Sequence, residues 1–125
     1  MKDEGPEMNT PDDLRVRTRA YALRIVRMFV ALPRTTEAHV LWKQVLRSGT
    51  SVGANYREAQ RARSRAEFAA KVGDCLKELD ESAYWLDLLV GAEIVSSQRL
   101  APLINETEQL TAIFVTIAKK AKASA

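Results

Sequence analysis

Between residues 68 and 89, an apolar or small residue recurs in alternating steps of four and three: Phe68, Val72, Cys75, Leu79, Ser82, Leu86 and Leu89. An α-helix turns about 100° per residue, so this spacing gathers all seven side chains into one stripe. A strand, with its period of two, would scatter them over both faces. A helix of roughly 30 Å with such a stripe must bury it against other helices. The stripe therefore constrains the fold more than any other feature of the chain. Ser64 and Glu67 ahead of it form the S-x-x-E capping box that opens a helix. The third helix is predicted over about 65–94.

The same period governs the rest of the chain, and nothing alternates as a strand does. The first helix is predicted over about 11–32, capped by Thr10 with Pro11 at its first position. Pro33 ends it, and Leu14, Tyr21, Ile25, Met28 and Leu32 form its stripe with Thr18 in the series. The second is predicted over about 36–62, with Leu41, Val45, Val52 and Tyr56 on one side. Gly49 and Gly53 lie at its centre and each weakens a helix by roughly 1 kcal/mol relative to alanine. Two glycines one turn apart point to close approach by a neighbouring backbone; a kink is the alternative. The fourth is predicted over about 97–122, with a kink or a later start at Pro102. Residues 1–10 are expected to be a disordered N-terminal segment. The fold class is all-α: an antiparallel up-down-up-down four-helix bundle.

At 125 residues the chain fits one domain, and 46% hydrophobic content is enough to build a core. One cysteine, Cys75, excludes an internal disulfide framework and a cysteine-based zinc site. Its place in the stripe makes it a packing residue. One histidine, His39, excludes two-histidine metal motifs and leaves a single histidine candidate for acid–base work, with no nucleophile in sequence beside it. Glu78 and Glu81 form an E-x-x-E pair with Glu58 upstream, but a di-metal bundle site needs Glu-x-x-His from two helices. No metal, cofactor or catalytic residue is expected, so the protein is not expected to be an enzyme. The start of the chain is acidic and polar, unlike a secretory signal, and the apolar runs are short. The expectation is a cytoplasmic protein that does not engage a membrane.

Two features exceed what one bundle requires. The first helix carries a second apolar line, Val16, Ala20, Leu23 and Val30, opposite its core stripe. Tyr84 and Leu88 lie similarly opposite Phe68 and Leu79 on the third. Val16, Leu23, Val30, Tyr84 and Leu88 are thus candidate oligomer contacts. Charge is also sorted: residues 11–63 hold 11 basic and 4 acidic residues, a net of +7, and residues 64–95 hold 3 and 7, a net of −4. Arg17, Arg24 and Arg27 flank the second apolar line on one side and Arg15 and Arg19 on the other. Lys43, Arg47, Arg57 and Arg61 share a face of the second helix; Glu67, Asp74, Glu78 and Glu81 share a face of the third. Either the two stripes pair and set register, or the arginine surface is free for nucleic-acid phosphates or another partner. That surface comprises Arg17, Arg24, Arg27, Lys43, Arg47, Arg57 and Arg61.

Three motif segments carry a family resemblance. They are Leu46-Arg47-Ser48 through Val52-Gly53-Ala54-Asn55-Tyr56-Arg57-Glu58-Ala59, Arg63-Ser64-x-x-Glu67-Phe68, and Leu76-Lys77-Glu78-Leu79-Asp80-Glu81-Ser82-x-Tyr84-Trp85-Leu86. Together they resemble the bacterial four-helix-bundle family that includes proteins encoded in intervening sequences of large-subunit ribosomal RNA genes. The family pattern resembles S-I-P-A-N-I-A-E-G, R-S-x-x-E-F and E-L-E. Here Gly53 stands for the proline, and Arg57 and Ala59 stand for the small residue and glycine around the glutamate. The resemblance implies a homo-oligomeric ring, a pentamer, without catalysis. It also implies kinship with the accessory variability determinant of diversity-generating retroelements, a ring of similar bundles that binds nucleic acid. The motif positions Asn55, Glu58, Ser64, Glu67, Phe68 and Glu78, with Glu81 beside them, are read as structural. RNA or another nucleic acid is the partner expected beyond the chain itself.

Overall fold

The computed structural model describes residues 10–124. They form four helices: α1 (Pro11–Phe29), α2 (Thr36–Gln60), α3 (Arg65–Gly91) and α4 (Ser97–Ser124). No strand occurs among the described residues. The segment expected to be disordered, residues 1–10, lies outside them apart from Thr10.

The starts follow from side chains that satisfy the first free N–H groups. Thr10 Oγ1 accepts from the Asp13 N–H at 3.2 Å, Thr35 Oγ1 from Ala38 at 3.2 Å, and Ser64 Oγ from Glu67 at 3.0 Å. The Glu67 carboxylate returns to the Arg63 N–H at 3.0 Å, one residue further back than the usual capping box.

The ends fall short of the periodicity. α1 stops at Phe29 rather than Leu32, where Ala31 and Leu32 turn back onto Met28 and Phe29. α2 stops at Gln60 rather than Ala62, since Arg61 and Ala62 make the same tight turn onto Glu58 and Ala59. α3 stops at Gly91 rather than Ile94, because Glu93 takes a left-handed conformation at φ 59°. The Ile94 and Val95 N–H groups then both reach the Leu89 carbonyl. These ends still serve the core, since Leu32 and Val95 are buried.

Pro102 lies inside α4, which begins at Ser97 and not after the proline; Ser96 caps it through the Arg99 N–H at 3.2 Å. An exposed proline in the second turn still costs the helix its bond to the carbonyl four residues back.

One core joins all four helices. Val72, Cys75, Leu79, Ser82, Leu86 and Leu89 are fully buried, and Phe68 packs at the edge. α1 lies on α2, α2 on α3 and α3 on α4, with a slighter α1–α4 seam. α2 is continuous through both glycines. A Cβ at Gly49 would sit 2.2 Å from Ile25 Cδ1, and one at Gly53 would sit 3.2 Å from Thr18 Oγ1. The glycines let α1 press onto α2, and helix continuity comes from that packing. Trp42, not Leu41, fills the core at its level: it is fully buried, and its indole N–H donates to the Ile25 carbonyl at 3.1 Å.

Two buried hydroxyl pairs cross the core. Thr107 donates to the Leu103 carbonyl, so the Tyr21 hydroxyl 2.6 Å away donates to Thr107. Ser48 donates to the Gln44 carbonyl, so Ser82 donates to Ser48 across 2.8 Å. The first pair joins α1 to α4 and the second α2 to α3. Each is satisfied only in one register.

Candidate functional site

The helix seams divide the basic residues into two groups. Arg47 on α2 reaches across to α3, where its guanidinium bonds Glu78 at 3.4 Å and Glu81 more closely. Both carboxylates hold the Arg47 guanidinium above its usual pKa, with the Glu81 hydrogen bond the larger cause. Lys71 on α3 reaches back to Glu58 at 2.6 Å, and this contact raises the Lys71 ammonium. One member of the basic stripe, Arg47, therefore pairs with the acidic stripe at this seam, while Lys71–Glu58 joins residues outside both stripes. Exposed pairs of this kind are worth about 0–1 kcal/mol each and act chiefly on register.

Arg17 has a partner that the sequence did not reveal. Its guanidinium grips Glu106 on α4 with bonds of 2.7 and 2.9 Å, and also bonds the Gln109 side chain at 2.8 Å. The pair is largely shielded and bidentate, the geometry in which an ion pair is strong. Burial opposes the charge, but the Glu106 hydrogen bond outweighs it and raises the Arg17 pKa. Arg17 and Arg47 thus hold helices together, and their charges are already matched.

The remaining cations of the expected surface are exposed. Arg24 shares the Arg17 flank of α1, one heptad further on, and Arg27 lies along the second apolar line. Lys43, Arg57 and Arg61 lie on the outer side of α2. Among the described residues, none of these five makes an ion pair. Arg57 leans toward α1. There it meets Arg15 and Arg19 around a cleft of about 270 Å³ along the α1–α2 seam. Thr18, Ala22, Thr50, Gly53 and Ala54 complete the lining, so the seam here is built from small residues. Gly53 and Arg57, two positions where the chain departs from the family pattern, both line this cleft. A shallower depression of about 280 Å³ continues from the same three arginines to Val16 and Asp12. Arg15 and Arg19 flank the apolar line and fall outside the surface expected from the sequence. Their spacing of four, which puts them on one side of α1, is the signal that could have joined them.

The motif positions are distributed. Ser64 and Glu67 cap α3, Glu58 and Glu78 hold Lys71 and Arg47, and Glu81 shares Arg47. Asn55 is half-buried on α2. Phe68 lines two larger grooves of about 470 Å³ each, together with Ile117, at the end of the molecule where α2 passes into α3. Among the described residues no three His, Cys, Asp or Glu side chains gather in one place. Cys75 is a buried free thiol whose pKa is pushed up to about 12, chiefly by burial.

The second apolar line is at the surface. Val16 is 70% exposed and Val30 81%, with Leu23 half-buried between them. Tyr84, 56% exposed, stands edge-on to Trp85, and Leu88 is half-buried. No described helix is long and apolar enough to cross a membrane.

These features define an all-helical protein whose four helices share one core, with an exposed apolar line and, among the described residues, surface arginines that make no ion pair. Residues 12–116 match the 23S rRNA-intervening sequence protein family, and the chain belongs to that family. It is similar to a crystal structure of a protein of unknown function from the S23 ribosomal protein family of Bacteroides thetaiotaomicron. The TM-score is 0.81 at 36% sequence identity, covering 87% of this chain and 97% of that one. No curated protein matches the chain.

Proposed function

We propose that this is a non-enzymatic, homo-oligomeric assembly protein. Its protomer is an antiparallel up-down-up-down bundle, and copies close into a ring, with a pentamer as the expected size. The assembled surface contacts RNA, or a partner that processes nucleic acid, through exposed arginines.

The observation that carries this reading is the outer side of α1. A line bearing the exposed Val16 and Val30 runs there beside Arg15, Arg19, Arg24 and Arg27, which make no ion pair among the described residues. An isolated protomer gains nothing from a hydrophobic line in water, whereas a second subunit would bury it. The antiparallel arrangement is supported by contacts that step in opposite directions along two helices: Pro11 with Tyr56, Thr18 with Gly53, and Ile25 with Gly49. A cytoplasmic location is supported by the unpaired thiol of Cys75.

Two measurements test the reading. Light scattering on the purified protein should give a discrete multiple of the protomer mass. Leu23→Glu with Val30→Glu should shift the population toward monomer without unfolding it; a wild-type monomer at micromolar concentration would overturn the assembly. RNA filter binding over a salt series should give affinity that falls steeply with salt, and absence of binding at low salt would overturn the nucleic-acid half. A second reading, a protein scaffold that binds no nucleic acid, is favoured by the pairing of Arg17 and Arg47 within the protomer. That reading requires assembly to cover or neutralise the remaining arginines as well.

A further inference from the structure

We infer that the cleft between α1 and α2, rimmed by Arg15, Arg19 and Arg57, is a phosphate-binding site, and that it takes the backbone phosphate of an RNA strand. This deepens the nucleic-acid reading above and rests on it only for the source of the phosphate.

Three facts carry the inference. First, three guanidinium groups from two helices line one cleft of about 270 Å³, and none of them makes an ion pair among the described residues. The other seams of the molecule behave differently: where Arg17 or Arg47 meets a neighbouring helix, a carboxylate is waiting. Among the described residues that line the cleft and the adjoining depression, the one acid is Asp12, so three arginines and one aspartate leave a local net of +2. Like charges gathered this way repel, and an anion between them relieves the repulsion. Second, between the arginines the lining is Ala22, Gly53 and Ala54 with Thr18 and Thr50, small side chains that leave room for a ligand. The Thr18 hydroxyl already donates to the Leu14 carbonyl at 2.7 Å, which leaves its oxygen as an acceptor and the arginines as the donors to the ligand. Third, arginine is the residue whose planar fork matches phosphate oxygens in pairs, and three forks supply more donors than a carboxylate could use. The chemistry selected is a phosphoryl group, whether in a strand or free.

The test compares the wild type with Arg15→Gln/Arg19→Gln/Arg57→Gln. A control, Arg34→Gln/Lys77→Gln/Lys119→Gln, loses the same charge at exposed positions elsewhere. Circular dichroism establishes that all three are folded. Each is titrated against a fluorescent single-stranded RNA from 50 to 300 mM salt. In a second arm, thermal melts are recorded with inorganic pyrophosphate at constant ionic strength.

The cleft variant should bind RNA about a hundredfold more weakly at 50 mM salt, with a log–log salt slope shallower by about 2. The control should lose no more than about threefold, because distant charges are screened beyond ~10 Å. If the wild type binds RNA and the cleft variant matches the control, the cleft assignment is overturned and the nucleic-acid reading stands. If the wild type binds no RNA, but pyrophosphate raises its melting temperature and Arg57→Gln abolishes the rise, the cleft is a small-anion site and the RNA assignment is overturned. If neither RNA nor pyrophosphate binds, both fall.

Discussion

Gly49, Gly53 and Gly73 are equivalent in any helix-propensity scale, yet each has different surroundings. Beside Gly49 a Cβ would collide with the buried Ile25 side chain, beside Gly53 it would touch Thr18, and beside Gly73 it would meet nothing within 4 Å. Gly73→Ala should therefore stabilise the protein by about 0.5–1 kcal/mol. Gly49→Ala should destabilise it by about 1–3 kcal/mol through overpacking. Urea denaturation of both variants checks the pair, and equal shifts would show that the α1–α2 approach is looser than described. Cys75 gives a second expectation at this scale. Its thiol stays protonated in the folded chain to about pH 12, while in the unfolded chain it ionises near its ordinary 9.0. The folded state holds the proton more tightly, so this contribution is complete below pH 9 and is lost as pH rises from there toward 12. Stability measured across that window should fall, and Cys75→Ala should flatten the slope. Labelling by a thiol reagent at pH 8 should be more than about a thousandfold slower than in denaturant, since reaching Cys75 requires opening costing ~5 kcal/mol or more.

Helix beginnings were written in the local sequence and helix ends were not. Thr10 and Ser64 cap within three residues as the local pattern predicts, and Thr35, outside that prediction, caps α2 by the same geometry. The ends depend on where the chain must turn to reach the core. α3 stops because Glu93 adopts a left-handed conformation that lets Val95 be buried, and glutamate carries no signal for that. Glu93→Gly should accordingly stabilise the protein by about 1 kcal/mol, because glycine adopts this conformation freely. Ser64→Ala should cost about 1 kcal/mol at the other end of the same helix. Thermal melts of the two variants should move in opposite directions; a drop for Glu93→Gly would mean that its side chain matters more than its backbone. α4 shows the limit of local rules in another way. Pro102 marks a break by propensity, but Leu100 and Leu103 on either side of it are buried, and their packing holds the helix through it.

At the scale of the molecule, the buried hydroxyl pairs specify how the helices register. Apolar stripes slide on one another at modest cost, whereas an unmatched buried hydroxyl costs about 1–3 kcal/mol. Ser48→Ala and Ser82→Ala should each destabilise the protein by about 1 kcal/mol or more. The double variant should cost less than the sum, because neither partner is then left alone. Additive losses in a double-mutant cycle would show that the pair is not coupled. The charge sorting also resolves at this scale. The sequence separated a basic half from an acidic helix, but it could not tell which arginine would find a carboxylate. Arg17 has Asp13 one turn away on its own helix, yet its guanidinium pairs with Glu106, 89 residues away.

The sequence by itself determined the helical class, the core stripe, the capped starts and the surplus apolar line on α1. Each follows from periodicity or from contacts within one turn, and both are properties of a single helix. Only the tertiary structure decided which cations are matched, that Trp42 and not Leu41 enters the core, and that Arg15, Arg19 and Arg57 share one cleft. Those outcomes depend on the rotation of each helix about its axis and on which helix lies beside it. Many weak contacts along the seams set both at once, so no local segment carries the answer.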